Sequence, residues 1–239
     1  MTDKSAGLAD ITAGETAIST VGKEGVGLTY RGYDIHDLAA HGTFEEVAYL
    51  LLYKKLPTIA ELQQYQKTLC DLRDLPDALL QILEKIPGNA NPMDVLRTAC
   101  SMLGTLEPES PQHTMLTIAN RLIACTPGML LYWYHFQKNG QRINLQNAET
   151  TVAGYFLHLL TGTAPNEEKR RALDVSLILY AEHEFNASTF AARVTISTES
   201  DMYSAIVSAI GTLRGPLHGG ANEAAMELIA QFKTPEAAR

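Results

Sequence analysis

Two stretches of this 239-residue sequence concentrate groups able to do chemistry. The first is Tyr180-Ala-Glu-His-Glu-Phe-Asn-Ala-Ser-Thr-Phe190, which gathers two carboxylates, an imidazole, an amide and two hydroxyls. It lies between the apolar run 175–179 and the Ala191-Ala192 pair. Polar groups at the end of a buried helix must find partners or cost on the order of 1–3 kcal/mol each. A polar ligand would be one such partner. The second stretch is Arg214-Gly-Pro-Leu-His-Gly-Gly-Ala-Asn-Glu223, where glycines flank His218 and a helix is expected to begin just after it. An imidazole near a helix N-terminus tends to be held neutral, and a neutral imidazole donates an N–H to a developing oxyanion without first losing a proton. A glycine-rich turn capped by a histidine accounts for the same residues without any chemistry.

Other chemistries lack a signal. His183-Glu184 is followed by Phe185, Asn186 and Ala187, so there is no H-E-x-x-H pair for zinc, and no metal site is expected. There is no G-x-S-x-G and no P-loop. Gly22, Gly25 and Gly27 are spaced G-x-x-G-x-G with no strand-to-helix context, which suits a turn rather than a dinucleotide site. His36 and His41 fall in a polar surface segment, and His135 and His158 in apolar helices where a hydrogen-bonded structural histidine is the default. Cys70, Cys100 and Cys125 form neither a disulfide framework nor a C-x-x-C pair and read as buried free thiols, with the cytoplasm as the default location.

Composition narrows the class. Hydrophobic residues make up 46% and charged residues 19%, as in a folded globular chain. A net charge of −8 is the opposite of a phosphate-gripping balance, so no nucleic-acid partner is expected. No run is long and apolar enough to span a bilayer, and residues 1–10 show no signal-peptide core, so no membrane partner is expected.

The elements that must position these groups are mostly helical. Ile18-Ser-Thr-Val21 and Gly27-Leu-Thr-Tyr30 suggest a short hairpin or extended arm over residues 1–31. From Tyr33 onward the spacing is helical, and no convincing strand lies beyond residue 31. Thr43 with Glu46, and Thr58 with Glu61, are capping boxes, the second opening a helix to about Arg73. Asn91 caps a helix with Pro92 at its first position. Prolines, including Pro127, are expected to cut the chain beyond Arg73 into segments of about 10 to 18 residues. Asn166-Glu167-Glu168 opens a helix whose apolar face would be Leu173, Leu177 and Tyr180, and Ser200-Asp201 opens another to about Leu213. The expected class is all-α, with ten helices or more. Thr234-Pro235-Glu236 is a helix-start signal with no helix behind it, which suggests a chain that continues beyond Arg239 in its parent.

Taken together the motifs resemble the citrate synthase family. Tyr30-Arg-Gly-Tyr-Asp-Ile35 resembles its Y-R-G-Y-D-I signature, His183-Glu-Phe-Asn-Ala-Ser188 its H-E-x-N-x-S segment, and Gly215-Pro-Leu-His-Gly219 its G-P-x-H-G segment, in the family's order. Within the family, Ala13-Gly-Glu-Thr16, Thr20-Val-Gly-Lys-Glu24, Asn91-Pro-Met-Asp-Val-Leu-Arg97 and Leu130-Leu-Tyr-Trp-Tyr-His135 look most like the enzymes that condense propionyl-CoA with oxaloacetate to 2-methylcitrate. Citrate synthase using acetyl-CoA is the alternative, and a catalytically incompetent helical scaffold or dimerisation fragment is an alternative of another class.

The resemblance implies a multi-helical large domain over 32–217 and the start of a largely missing small domain over 218–239. It implies His218 as the catalytic, enol-stabilising histidine and His183 as a substrate-binding residue for oxaloacetate. Asn186 and Ser188 would support the site, with Ser188 orienting His218. No cofactor is implied, CoA entering as part of the acyl substrate, and the family implies a homodimer. The catalytic aspartate, the second histidine, the CoA loop and the oxaloacetate-binding arginines have no candidates in this sequence, so the isolated chain is expected to be inactive.

Overall fold

The computed structural model describes residues 13–20, 27–232 and 234. Among them are eleven α-helices and one two-stranded hairpin, the all-α architecture expected. The hairpin pairs β1 (Thr29–Tyr30) with β2 (Tyr33–Asp34) through a two-residue turn. Its turn residues, Arg31 and Gly32, both have positive φ (49° and 88°), as a tight turn matched to strand twist requires. Ser19 bridges Tyr30 on the other side, so the arm is a short three-way pairing. Two expectations are corrected here, a helical pattern from Tyr33 onward and the lack of a strand beyond residue 31. Tyr33-Asp34 is strand, because Gly32 lets the chain reverse at once. Asp34 then ends the strand and caps the first helix by accepting from His36 N–H at 2.7 Å. Gly22 and Gly25 lie outside the described residues, as do Pro235 and Glu236 of the C-terminal helix-start signal.

Local signals set most helix starts. α1 spans Ile35–His41, α2 Phe44–Tyr53 and α3 Ile59–Asp71, the last two opened by the Thr43/Glu46 and Thr58/Glu61 capping boxes. α3 ends two residues before Arg73. α4 (Asp77–Lys85) begins after Pro76, and α5 (Pro92–Leu106) begins with Asn91 accepting from Met93 N–H at 2.9 Å.

α6 (Met115–Asn139) is a correction: it runs 25 residues straight through Pro127. The proline removes one helix hydrogen bond, a cost of about 3 kcal/mol. Burial of Leu122, Cys125, Met129, Leu131 and Trp133 on the same helix outweighs that, at roughly 1.5–3 kcal/mol for each large side chain.

α7 covers Val152–Thr161, α8 Glu167–Tyr180, α9 Ala187–Ile196, α10 Met202–Leu213 and α11 Gly220–Ala230. On α8 the fully buried residues are Asp174 and Ile178; of the expected face, Leu177 packs partly buried on the core, whereas Tyr180 is 72% exposed. The reason is electrostatic: Asp174 accepts from Phe44 N–H at 3.0 Å and from Arg171 at 2.8 Å, and this turns the helix.

The core has three parts. The largest packs α4, α5, α7 and α10 around α6, with Leu103, Ile118, Met129, Tyr155 and Tyr203 among its members. A second joins the hairpin to α1, α2 and α8 through Tyr30, Val47, Leu50 and Ile178. A third links α2 and α3 to α6 and α7. Arg121 is buried within this frame, its guanidinium forked onto Glu107 at 2.8 and 2.9 Å. Cys100 and Cys125 are buried free thiols as expected, whereas Cys70 is only half-buried. No described helix is long and apolar enough to cross a membrane.

Candidate functional site

Both polar stretches fall at helix junctions. The first forms the end of α8, the connecting loop and the start of α9. The chain turns sharply in that loop, with Glu184 at φ 54° and its N–H held by the Glu182 carboxylate at 2.7 Å. Asn186 caps α9 by accepting from Thr189 N–H at 2.9 Å. The second stretch is the turn from α10 to α11. Its backbone is bonded to itself, Gly219 N–H to Leu213 C=O at 2.9 Å and His218 N–H to Gly215 C=O at 3.0 Å. Glycine is required at 219, because a Cβ there would sit 2.1 Å from the Leu213 carbonyl oxygen. His218 therefore stands two residues before a helix, on a turn with no room to shift.

The two stretches meet. His218 Nε2 is 2.9 Å from Ser188 Oγ and accepts from the Ser188 backbone N–H at 3.3 Å. Ser188 Oγ in turn donates to Asn186 Oδ1 at 2.8 Å. The two Ser188 groups call for opposite tautomers: the N–H needs a lone pair on Nε2, whereas a hydroxyl already donating to Asn186 needs a proton there. Asn186, Ser188 and His218 thus form one chain of contacts, each fixed by the next, and all half-buried.

His183 is not part of that chain. It is exposed and makes no hydrogen bond to the described residues. Its neighbours in sequence are held instead. The Tyr30 hydroxyl donates toward the carbonyls of Ile178, Leu179 and Glu182 at 3.1, 3.2 and 3.3 Å. Phe185 lies between Gly14 and Arg193, the guanidinium carbon 4.5 Å from the ring centre.

Two cavities open on the surface. One of about 340 Å³ is lined by Gly104, Glu109, Asp201 and Tyr203, between α5 and α10. Another of about 250 Å³ is lined by Gly14, Phe185, Phe190 and Arg193. Neither is lined by His183 or His218.

The remaining histidines are structural or exposed. His113 Nε2 is 3.1 Å from the Tyr203 hydroxyl, and His135 Nε2 is 2.8 Å from the Leu159 carbonyl oxygen. His158 Nδ1 faces Glu149 at 3.5 Å without a hydrogen bond. His36 and His41 are exposed. No group of three or more metal-ligating side chains occurs among the described residues.

The order of the motifs, the Ser188–His218 junction and the helical frame all point to one family, and the comparisons agree. The model for the citrate synthase C-terminal domain matches residues 7–239. The chain belongs to the citrate synthase family. Among curated relatives, the 2-methylcitrate synthase of Shewanella oneidensis is 58% identical over 234 residues, 98% of this chain and 62% of its own length. The citrate synthase of Deinococcus radiodurans is 42% identical over 242 residues, 100% of this chain and 64% of its own. In three dimensions, citrate synthase from Thermotoga maritima superimposes with a TM-score of 0.83 at 34% identity, over 97% of this chain and 62% of that one. The enzyme from Thermoplasma acidophilum, solved in ternary complex with carboxymethyl coenzyme A and oxaloacetate, gives 0.85 at 31% identity, over 96% of this chain and 61% of that one. The chain thus spans less than two thirds of the length of these relatives.

Sequence reasoning misses Tyr30 as an anchor for α8 and Phe185 as the ring clasped by Gly14 and Arg193. Tyr30 stands in a visible motif, but the role of its hydroxyl depends on a partner about 150 residues away. Phe185 sits at an unspecified position of its motif, and nothing local marks it.

Proposed function

We propose that this chain is the larger part of an enzyme that condenses propionyl-CoA with oxaloacetate and water to give 2-methylcitrate and CoA. The observation that carries this reading is the His218–Ser188–Asn186 chain at the junction of two family motifs, in a sequence 58% identical to a 2-methylcitrate synthase. With Nε2 turned to Ser188, Nδ1 of His218 is the ring atom that would donate, as Nδ1–H, to the thioester oxygen as the α-proton leaves and the enol forms. A donor fixed in advance costs no reorganisation at that moment. His183 would bind oxaloacetate from the α8–α9 loop, and Asn186 would hold the start of α9 and the Ser188 hydroxyl in register.

None of the motifs offers a candidate for the base that takes the α-proton, and the 239-residue chain alone is expected to show no turnover. A homodimer, a cytoplasmic location and the absence of any cofactor besides the CoA of the substrate belong to the same proposal. So does a domain boundary at 217/218, which falls within the Gly215–Gly219 turn. The scaffold reading has one observation in its favour, the exposed Leu217, Met226, Leu228 and Ile229 around α11.

The test is an assay by loss of thioester absorbance with oxaloacetate and either propionyl-CoA or acetyl-CoA. It is run on the chain alone and on the chain fused to the part of the Shewanella relative that it does not match. Turnover of the fusion, with kcat/KM higher for propionyl-CoA and lost in His218→Ala, is the expected result. Preference for acetyl-CoA would favour a citrate synthase. A folded fusion inert toward both would leave the scaffold reading.

A further inference from the structure

His183 makes no side-chain hydrogen bond among the described residues, so its place is set by the backbone on either side. On the side toward α8, the peptide leading to His183 is tied to the far end of the sequence. Tyr30 is completely buried in β1, and its one hydroxyl proton faces three carbonyl oxygens. Those of Ile178 and Leu179, at 3.1 and 3.2 Å, belong to the last turn of α8, and the Ile178 oxygen also accepts from the Ala181 N–H at 3.2 Å. The third, at 3.3 Å, is that of Glu182, the residue immediately before His183. Carbonyls converging at a helix C-terminus carry negative potential, which favours a donor there and disfavours an ionised phenol. Burial likewise pushes the Tyr30 phenol above its ordinary pKa, so it stays a donor. The hydroxyl thus joins the end of a helix to the first peptide of the loop that leaves it.

We propose that Tyr30 is a positioning residue for His183, its hydroxyl fixing the Glu182 carbonyl against the end of α8 and so setting the direction from which the imidazole projects. The functional meaning rests on the reading of His183 as the oxaloacetate-binding residue, whereas a resonance measurement reads the geometry directly. Tyr30→Phe keeps the buried ring and removes only the hydroxyl. With histidine labelled at Cε1, the seven imidazole signals of the full 239-residue chain are assigned by single His→Gln variants. In Tyr30→Phe the His183 signal is expected to move by more than its linewidth, or to split, while those of His113, His135 and His158 stay in place. A purely structural role would lower thermal stability and leave His183 with the others; a superimposed His183 signal in a folded Tyr30→Phe overturns the proposal. Should that variant not fold, 3-fluorotyrosine at position 30 retains the hydroxyl and alters its strength as a donor. The same displacement is expected, and its absence is equally decisive. In a fusion that turns over, Tyr30→Phe is expected to raise KM for oxaloacetate about 3- to 10-fold with KM for the acyl-CoA unchanged. Equal changes in both overturn the proposal, whereas a wild-type fusion without turnover counts against the proposed reaction and leaves the resonance test to decide on Tyr30.

Discussion

His218 Nε2 and Ser188 Oγ lie 2.9 Å apart, although they sit on different helix junctions 30 residues apart in the sequence. The contact fixes the ring's orientation, with the Ser188 N–H also pointing at Nε2. The ¹⁵N shifts of the folded chain report which imidazole nitrogen of His218 carries the proton; the proposed donor role predicts Nδ1–H, and a protonated Nε2 in the neutral ring would contradict it. Ser188→Ala removes the hydroxyl and keeps the amide. In a fusion that turns over it should lower kcat by about 10- to 100-fold, in line with the cost of a misplaced catalytic group, with the melting temperature nearly unchanged.

Glu45 is the titrating group that matters for stability. It is fully buried on α2, with Oε1 accepting from Val152 N–H at 2.7 Å and Oε2 without a partner. Burial pushes its carboxyl up to about 7, with the nearby Asp174 adding to the rise and Arg170 opposing it. Tyr65 from α3 also lies close to it. A raised native pKa means the folded chain binds the extra proton. The contribution is therefore complete below the ordinary carboxyl value and is lost as pH rises through 7, about 3 kcal/mol in all. Urea midpoints should fall between pH 5 and pH 8, and Glu45→Gln should flatten that part of the profile. An unchanged profile in the variant would assign the titration elsewhere.

Gly104 sits inside α5, where alanine would ordinarily be the better helix former by about 1 kcal/mol. Here a Cβ would approach Tyr203 Cβ and Cγ to 2.7 Å, because α10 is pressed against α5 at that point. Gly104→Ala should therefore destabilise the chain by about 1–3 kcal/mol, the usual cost of overpacking, measured by chemical denaturation. A gain in stability would mean that α10 can move away freely.

The thiols should react in two classes. Cys70 is half-buried, whereas Cys100 and Cys125 are enclosed and burial pushes both up to about 12. Ellman's reagent should modify one thiol per chain under native conditions and three after denaturation. Cys70→Ser should abolish the native reaction.

Much of this molecule is legible in local patterns. The caps at Asp201, Asn166, Asn91, Thr58 and Thr43 each lie within a few residues of the helix they start, and each is visible as a short motif. The approach of residues 183–188 to residues 215–219 comes from resemblance rather than from any local rule. What escapes the sequence depends on distant partners. Pro127 reads as a breaker until the surrounding apolar mass is known. The buried stripe of α8 is set by an aspartate whose donors come partly from α2. Tyr33-Asp34 is misread as helix because the turn at Arg31-Gly32 is so tight and Asp34 leaves no residue between strand and helix.

Three helix N-termini receive carboxylates from other parts of the chain: Phe44 from Asp174, Val152 from Glu45 and Met202 from Glu109. Each such bond is severed only when whole elements separate, so covalent continuity of the intervening loop adds little to it. A protease cut within 141–150 should therefore leave two pieces that travel together in native solution, and part only under denaturant.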